Sequence, residues 1–232
     1  MREEAFEKIQ KQANGHYTDA QKKELLAMLN TENKFAEAFN EKYKGEKGLG
    51  EVYGEDYGNY WSALLGAVAS FADFNDSRVL EILVFSAYNP DSDFGKRLVA
   101  EKEKVLPAIE KLVKCHDPFS QANAAGLLKL LAEEKSLSCP GRQKVEDLLV
   151  SLANDPDENV RASSVEGLVA LRSPRAVAAL QNLTKTESKP VQNEEGQVWH
   201  PLSDQAKGQL QAIAQTGGPK AAPCYASSAQ SK

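Results

Sequence analysis

Metal or proton chemistry would most readily use the three histidines, His16, His116 and His200. They fall in separate segments, and none stands at helix-face spacing from another histidine or from a cysteine, so no metal site is expected. Cys115 and His116 are sequence neighbours. On a helix such neighbours point in different directions, which argues against a nucleophile–base pair. Ser163 and Ser164 lack the Gly-x-Ser-x-Gly elbow of a serine hydrolase. The glycines of GEKGLGEVYG have the wrong spacing for a phosphate loop and no following Lys-Ser/Thr. No catalytic residue, metal ligand or cofactor is assigned, and an enzyme is not expected.

Two features could instead bind a partner. One is the aromatic cluster Tyr53, Tyr57, Tyr60 and Trp61. Amphipathic aromatics favour interface hot spots, but the same residues could seal an N-terminal cap against the first repeat. The other is the polar, acidic loop Thr184–Val198, closed by Trp199, either functional or only mobile. The candidate partner-binding residues are therefore Tyr57, Tyr60, Trp61 and Trp199. The three cysteines form an odd set without a Cys-x-x-Cys pair. Cys115 and Cys139 read as small apolar fillers near helix ends, and Cys224 as a thiol in a flexible tail.

Positioning these residues falls to a repeated pattern of helices. Gly126, Gly167 and Gly208 recur at 41-residue intervals in the phrases AAGLLKLL, VEGLVAL and AKGQLQAI. A period in the 20–50 residue range marks stacked supersecondary units. Val145, Leu148, Leu149 and Leu152 make one apolar helix stripe, stopped at Asp155-Pro156. Asp155 or Asp157 can cap the next helix, which carries Val160, Ser164, Leu168 and Leu171. Ser173-Pro174 then supplies a cap and a first-turn proline for a helix with Val177, Leu180 and Leu183. The unit before repeats this with Val105, Ala108, Ile109, Leu112 and Val113, a stop at Asp117-Pro118, then Ala122, Ala125, Leu128 and Leu131. The unit after returns through Leu202, Ala206, Leu210 and Ile213. Glycines at equivalent places suggest close helix approach. Tyr60–Ala87 reads as an earlier, divergent unit.

The expected fold is all-α: an α-solenoid of antiparallel helix pairs over 54–215, behind a helical N-terminal cap and loop over 1–53. Two or three amphipathic helices are expected in 1–44, a loop or a short irregular helix over Gly45–Gly58, and a disordered tail over 216–232. No strand signal competes with the helices. The net charge of −5 argues against a protein whose main partner is nucleic acid. No apolar run approaches a membrane span, and MREEAFEKIQ has no signal-peptide core. The expected place is cytoplasmic, or extracytoplasmic if a leader was removed.

The stretch DPDENVRASSVEGLVALRSPRAVAALQNL resembles a HEAT repeat, specifically the short kind of the phycobilisome lyases. The shared elements are Asp155-Pro156, Val160-Arg161, a small-residue face, Leu168 and Leu171, and the Pro-Arg-Ala-Val start of the next unit. The resemblance implies that a turn aspartate, Asp155 or Asp157, and Arg161 form a ladder between neighbouring units. Gly126, Gly167 and Gly208 would be structural in the same sense. It implies a non-enzymatic scaffold binding a protein partner, whose identity and stoichiometry the residues do not specify. An accessory lyase- or chaperone-like role toward a pigment-bearing or other client is the alternative implied by the subtype. A HEAT-like DNA glycosylase would need a basic groove, which this composition does not favour.

Overall fold

A computed structural model describes residues 2–13, 16–43, 52, 55–72, 74–87, 90, 92–115, 117–186, 190–192, 198–199 and 201–219. The chain divides into two compact units, Met1–Ser86 and Ala87–Lys232.

In the first unit, α1 is Arg2–Ala13, α2 Asp19–Tyr43, α3 Glu55–Ala69 and α4 Ser77–Phe85. The start of α2 is a capping box. Thr18 Oγ1 accepts from the Gln21 N–H at 3.3 Å, while Gln21 Oε1 accepts from the Thr18 N–H at 2.9 Å. From there one uninterrupted helix carries Leu25, Leu29 and Phe39, all buried. Asp76 caps α4 by accepting from the N–H groups of Arg78 and Val79. Of the Gly45–Gly58 segment, expected as a loop or a short irregular helix, the end from Glu55 belongs to α3; most of the remainder lies outside the described residues.

The second unit opens with α5, Asp93–Val99, and a 3₁₀ turn over Lys102–Val105. Three helix pairs follow: α6 Leu106–Lys114 with α7 Pro118–Glu133, α8 Cys139–Ala153 with α9 Glu158–Leu171, and α10 Pro174–Leu183 with α11 Pro201–Gln215. First helices pack on first helices (α6 on α8, α8 on α10), and second on second (α7 on α9, α9 on α11). Side chains forecast as apolar stripes meet between these rows: Ile109, Leu128, Leu131, Val145, Leu149, Val160, Leu168 and Leu180 are all fully buried. Val177 and Leu210 remain half-buried.

Local chemistry explains where α7, α8, α9 and α10 start. Asp117, Ser138, Asp157 and Ser173 have extended backbones, and each side chain accepts from an orphan N–H of the first turn. Pro118, Pro140 and Pro174 occupy first-turn positions that need no N–H donor. Of the two aspartates open to the capping role before α9, Asp157 takes it. Asp155 instead turns one oxygen to the Asp157 N–H at 2.9 Å.

The helix ends are closed from neighbouring elements by arginine. Arg142 donates to the carbonyls of Ala132 and Glu134, 3.2 and 2.9 Å away, at the end of α7. Arg172 donates to Ile213 O at 3.2 Å, Thr216 Oγ1 at 2.6 Å and Gly218 O at 3.3 Å, beyond the end of α11. Guanidinium is favoured there because carbonyls at a helix C-terminus carry partial negative charge. Arg172 itself holds a left-handed backbone, φ 51° and ψ 19°, where glycine is commoner.

Three expectations are corrected. The 184–198 connection is not free of strand: Val191–Gln192 (β1) pairs antiparallel with Val198–Trp199 (β2), in the register Val191 opposite Trp199. Two residues per strand need no alternating pattern, so no sequence signal marks them. Cys139 is no apolar filler; it is exposed and disulfide-bonded, whereas Cys115 is half-buried and free. The evenly spaced glycines are not equivalent. A Cβ on Gly167 would lie 2.6 Å from Leu149 Cδ2, and one on Gly126 would lie 2.5 Å from Pro90 Cγ, but Gly208 faces open space. The expected tail beyond residue 219 lies outside the described residues.

These contacts give opposite signs to similar substitutions. Gly167→Ala should destabilise by about 1–3 kcal/mol, since the buried Leu149 must move. Gly208→Ala should stabilise by up to about 1 kcal/mol, since an exposed helical glycine gains only backbone order. Urea denaturation of both variants would reveal the contrast. A second test is by pH. Ser138, through its hydroxyl and backbone N–H, holds the Glu103 carboxyl below its ordinary pKa of 4.5. The stabilisation is then fully present above the unfolded value and is lost as pH falls through the lower folded value. Glu103→Gln should therefore lower the melting temperature at neutral pH, with the deficit closing under acid conditions.

Candidate functional site

The second-helix row of the second unit carries a groove of about 390 Å³. From α7 it takes Ala122, Asn123, Gly126 and Lys129; from α9, Ala162, Ser163 and Glu166; from α11, Gln205. Pro90, from the segment before α5, lines it at Gly126. Ala122, Gly126 and Lys129 follow helical spacing on the flank of α7 left free by the buried stripe Ala124, Leu128 and Leu131. Small residues keep the floor low. A side chain on Gly126 would strike the Pro90 ring, so the glycine permits both the close approach and the depression beside it.

The groove mixes small apolar side chains with polar ones and is close to charge-neutral. Lys129 Nζ meets Glu166 Oε2 at 3.0 Å, an ion pair between α7 and α9. Ser163 donates its hydroxyl proton to Asn159 O at 2.8 Å, a bond within its own helix. Asn123 and Gln205 add two side-chain amides, each able to donate and accept. This set can hydrogen-bond and pack; it holds no nucleophile paired with a base. Among the described residues no group of three His, Cys, Asp or Glu could hold a metal ion.

The aromatic candidates lie elsewhere, in the first unit. Tyr60 and Trp61 are each 7 % exposed, inside that unit rather than on an open face, and Tyr57 is half-buried. Both phenols converge on the buried carboxylate of Glu32: Tyr57 donates at 3.0 Å and Tyr60 at 3.4 Å. Phe6 meets Tyr60 edge-on with ring centroids 5.6 Å apart, and Phe35 meets Tyr57 at 5.9 Å. A carboxylate one helix away gives the tyrosines polar partners, so they can be buried. Tyr53, His116, His200 and the side chain of Trp199 lie outside the described residues.

The ladder residues are in place with altered partners. Arg161 Nη1 donates to the carbonyls of Asp155 and Pro156, both at 2.8 Å, so it holds the turn between α8 and α9 rather than either carboxylate. The tie between units comes from Gln121 in α7. Its amide donates to Val113 O at 3.1 Å and to Asp155 Oδ2 at 3.0 Å. Arg175 and Asp147 form a second tie, between α10 and α8.

Residues 109–196 match the family model described as HEAT repeats. Over that stretch the chain is similar to HEAT repeats. The match begins in α6 and ends in the connection after α10, covering the paired helices that build most of the groove. No curated protein and no solved structure matches the chain. The HEAT-like repeats are legible in the sequence, but Lys129, Glu166 and Gln205 do not stand out in it as site residues. Their only signal was polar character beside an apolar stripe, which any solvated helix face shares. Among the described residues no helix is long and apolar enough to cross a membrane.

The Lys129–Glu166 pair is partly exposed, so its removal should cost little. Lys129→Ala and Glu166→Ala should each lower stability by less than about 1 kcal/mol, and less still at high salt. Chemical denaturation at two ionic strengths would measure this.

Proposed function

We propose that this HEAT-repeat chain is a non-enzymatic protein-binding module that offers the α7–α9–α11 groove to a polypeptide partner. The observation that carries the reading is the groove's composition: a low floor of small residues, two free-standing amides and an ion pair already neutralised within the protein. Side-chain amides complement the donors and acceptors of a peptide main chain. A nucleic-acid ligand would instead favour several uncompensated cations along the groove. Stacked repeats also supply long, continuous binding surfaces without a catalytic cavity. The accessory lyase-like role rests on the sequence resemblance alone and gains nothing from the groove.

Affinity capture from the native source tests the reading. Ala162→Arg, which fills the groove, should cut recovery of a captured partner at least about tenfold, a cost of about 1.4 kcal/mol. Gln143→Arg, on the exposed side of α8, should leave recovery unchanged. Equal recovery by both variants, or substrate turnover by the purified protein with no partner captured, would overturn the proposal.

A further inference from the structure

The groove lies beside a place where the chain already receives a proline ring. Pro90 is held between α5 and α7, which pack on one another. A Cβ on Gly126 of α7 would stand 2.5 Å from Pro90 Cγ and 3.0 Å from Pro90 Cβ, and one on Gly95 of α5 would overlap the Pro90 carbonyl. Both helices therefore lack a side chain where the proline enters, which permits the close approach. The next gap along, between α7 and α9, has the same character. Ala122 and Gly126 form one wall and Ala162 the other, and the gap opens to the surface. We infer that this gap, and its continuation to Gln205 of α11, receives prolines of the partner. The polypeptide bound here is then an uncharged, extended segment with proline at every third residue. The inference rests on the protein-binding reading of the groove and narrows it to one class of ligand.

Spacing supports that class. A polyproline II segment has three residues per turn and rises ~3.1 Å per residue, so the same face returns every ~9 Å. Neighbouring helix axes lie about 8–10 Å apart. Laid across the helices, such a segment meets successive gaps with successive prolines, in step with Pro90 one gap earlier.

Hydrogen bonding and charge point the same way. A polyproline II main chain makes no internal hydrogen bonds, so its carbonyls can accept from the side-chain amides of Asn123 in α7 and Gln205 in α11. An α-helical ligand would bond most of its carbonyls internally and leave those amides little to meet. Lys129 and Glu166, which also line the groove, neutralise one another at 3.0 Å. A charged ligand would compete with that pair, whereas an uncharged one leaves it whole. The segment is also extended before it binds, so a shallow groove has little ordering cost to offset.

The full chain and two synthetic peptides of equal length and composition test this. One is acetyl-Pro-Ala-Ala-Pro-Ala-Ala-Pro-Ala-Ala-amide; the other, acetyl-Pro-Ala-Ala-Ala-Pro-Ala-Ala-Ala-Pro-amide, moves each proline out of step. Titration followed by amide NMR should show saturable binding of the first with a Kd below about 1 mM, and at least about tenfold weaker binding of the second. Ala162→Arg should abolish the saturable shifts. Asn123→Ala should weaken binding about 2–10-fold while keeping the wild-type circular dichroism and melting temperature. Equal affinity for the two peptides, equal affinity for a proline-free acidic or basic peptide, or no saturable binding by the wild type would overturn the inference. If the peptides fail while Ala162→Arg still cuts recovery of a captured partner, the proline ligand falls and the protein-binding reading stands.

Discussion

The helices of residues 106–215 are 9 to 16 residues long, lengths at which an isolated helix is marginal in water. Each therefore depends on burying its apolar stripe against the next layer. Leu149 is the clearest instance: it is fully buried and packed where a Cβ on Gly167 would stand. This mutual burial is the constraint on which the remaining features rest. Every helix end in the stack must meet its hydrogen-bonding needs in a small space, and every layer must come close enough to exclude water from its leucines.

Polar groups are arranged around that constraint. At the starts of α7, α8, α9 and α10 a Ser or Asp satisfies N-terminal N–H groups from the adjoining residue. The carbonyl ends are served from farther away, by Arg142 for α7 and Arg172 for α11. Gln121 and Asp155 join successive layers at the turn edge, and Glu146 with Ser173 joins them inside. A buried carboxylate such as Glu146 is tolerated only with its partners in place, so these ties also fix the register between layers. The groove lies on the second-helix row beside the small side chains of Ala122, Gly126 and Ala162, so the surface there stays open without exposing the leucine core.

The first unit meets a similar problem differently. Glu32 is a buried acid in the middle of a long helix, satisfied by two tyrosines from α3. Of the aromatic cluster, which in one dimension reads either as a binding surface or as a seal for the cap, Tyr57 and Tyr60 are there the polar partners of one carboxylate.

Much of this molecule is written locally. The helix stripes, the stops at Asp117-Pro118 and Asp155-Pro156, the caps at Ser173 and Asp157, and the HEAT repeats all depend on residues within one or two turns of each other. The sequence by itself therefore determined an all-helical chain of paired units. Only tertiary structure decided that Gly126 and Gly167 are crowded while Gly208 is not, that Gln121 rather than an arginine reaches the next layer's aspartate, and that Tyr60 and Trp61 are buried. It also decided that Cys139 is bonded. These outcomes depend on which side chain stands opposite, across a gap of 25 to 46 residues of chain in the hydrogen-bonded cases. Periodicity names the face a residue occupies, but the neighbour facing it is set by the stacking of layers.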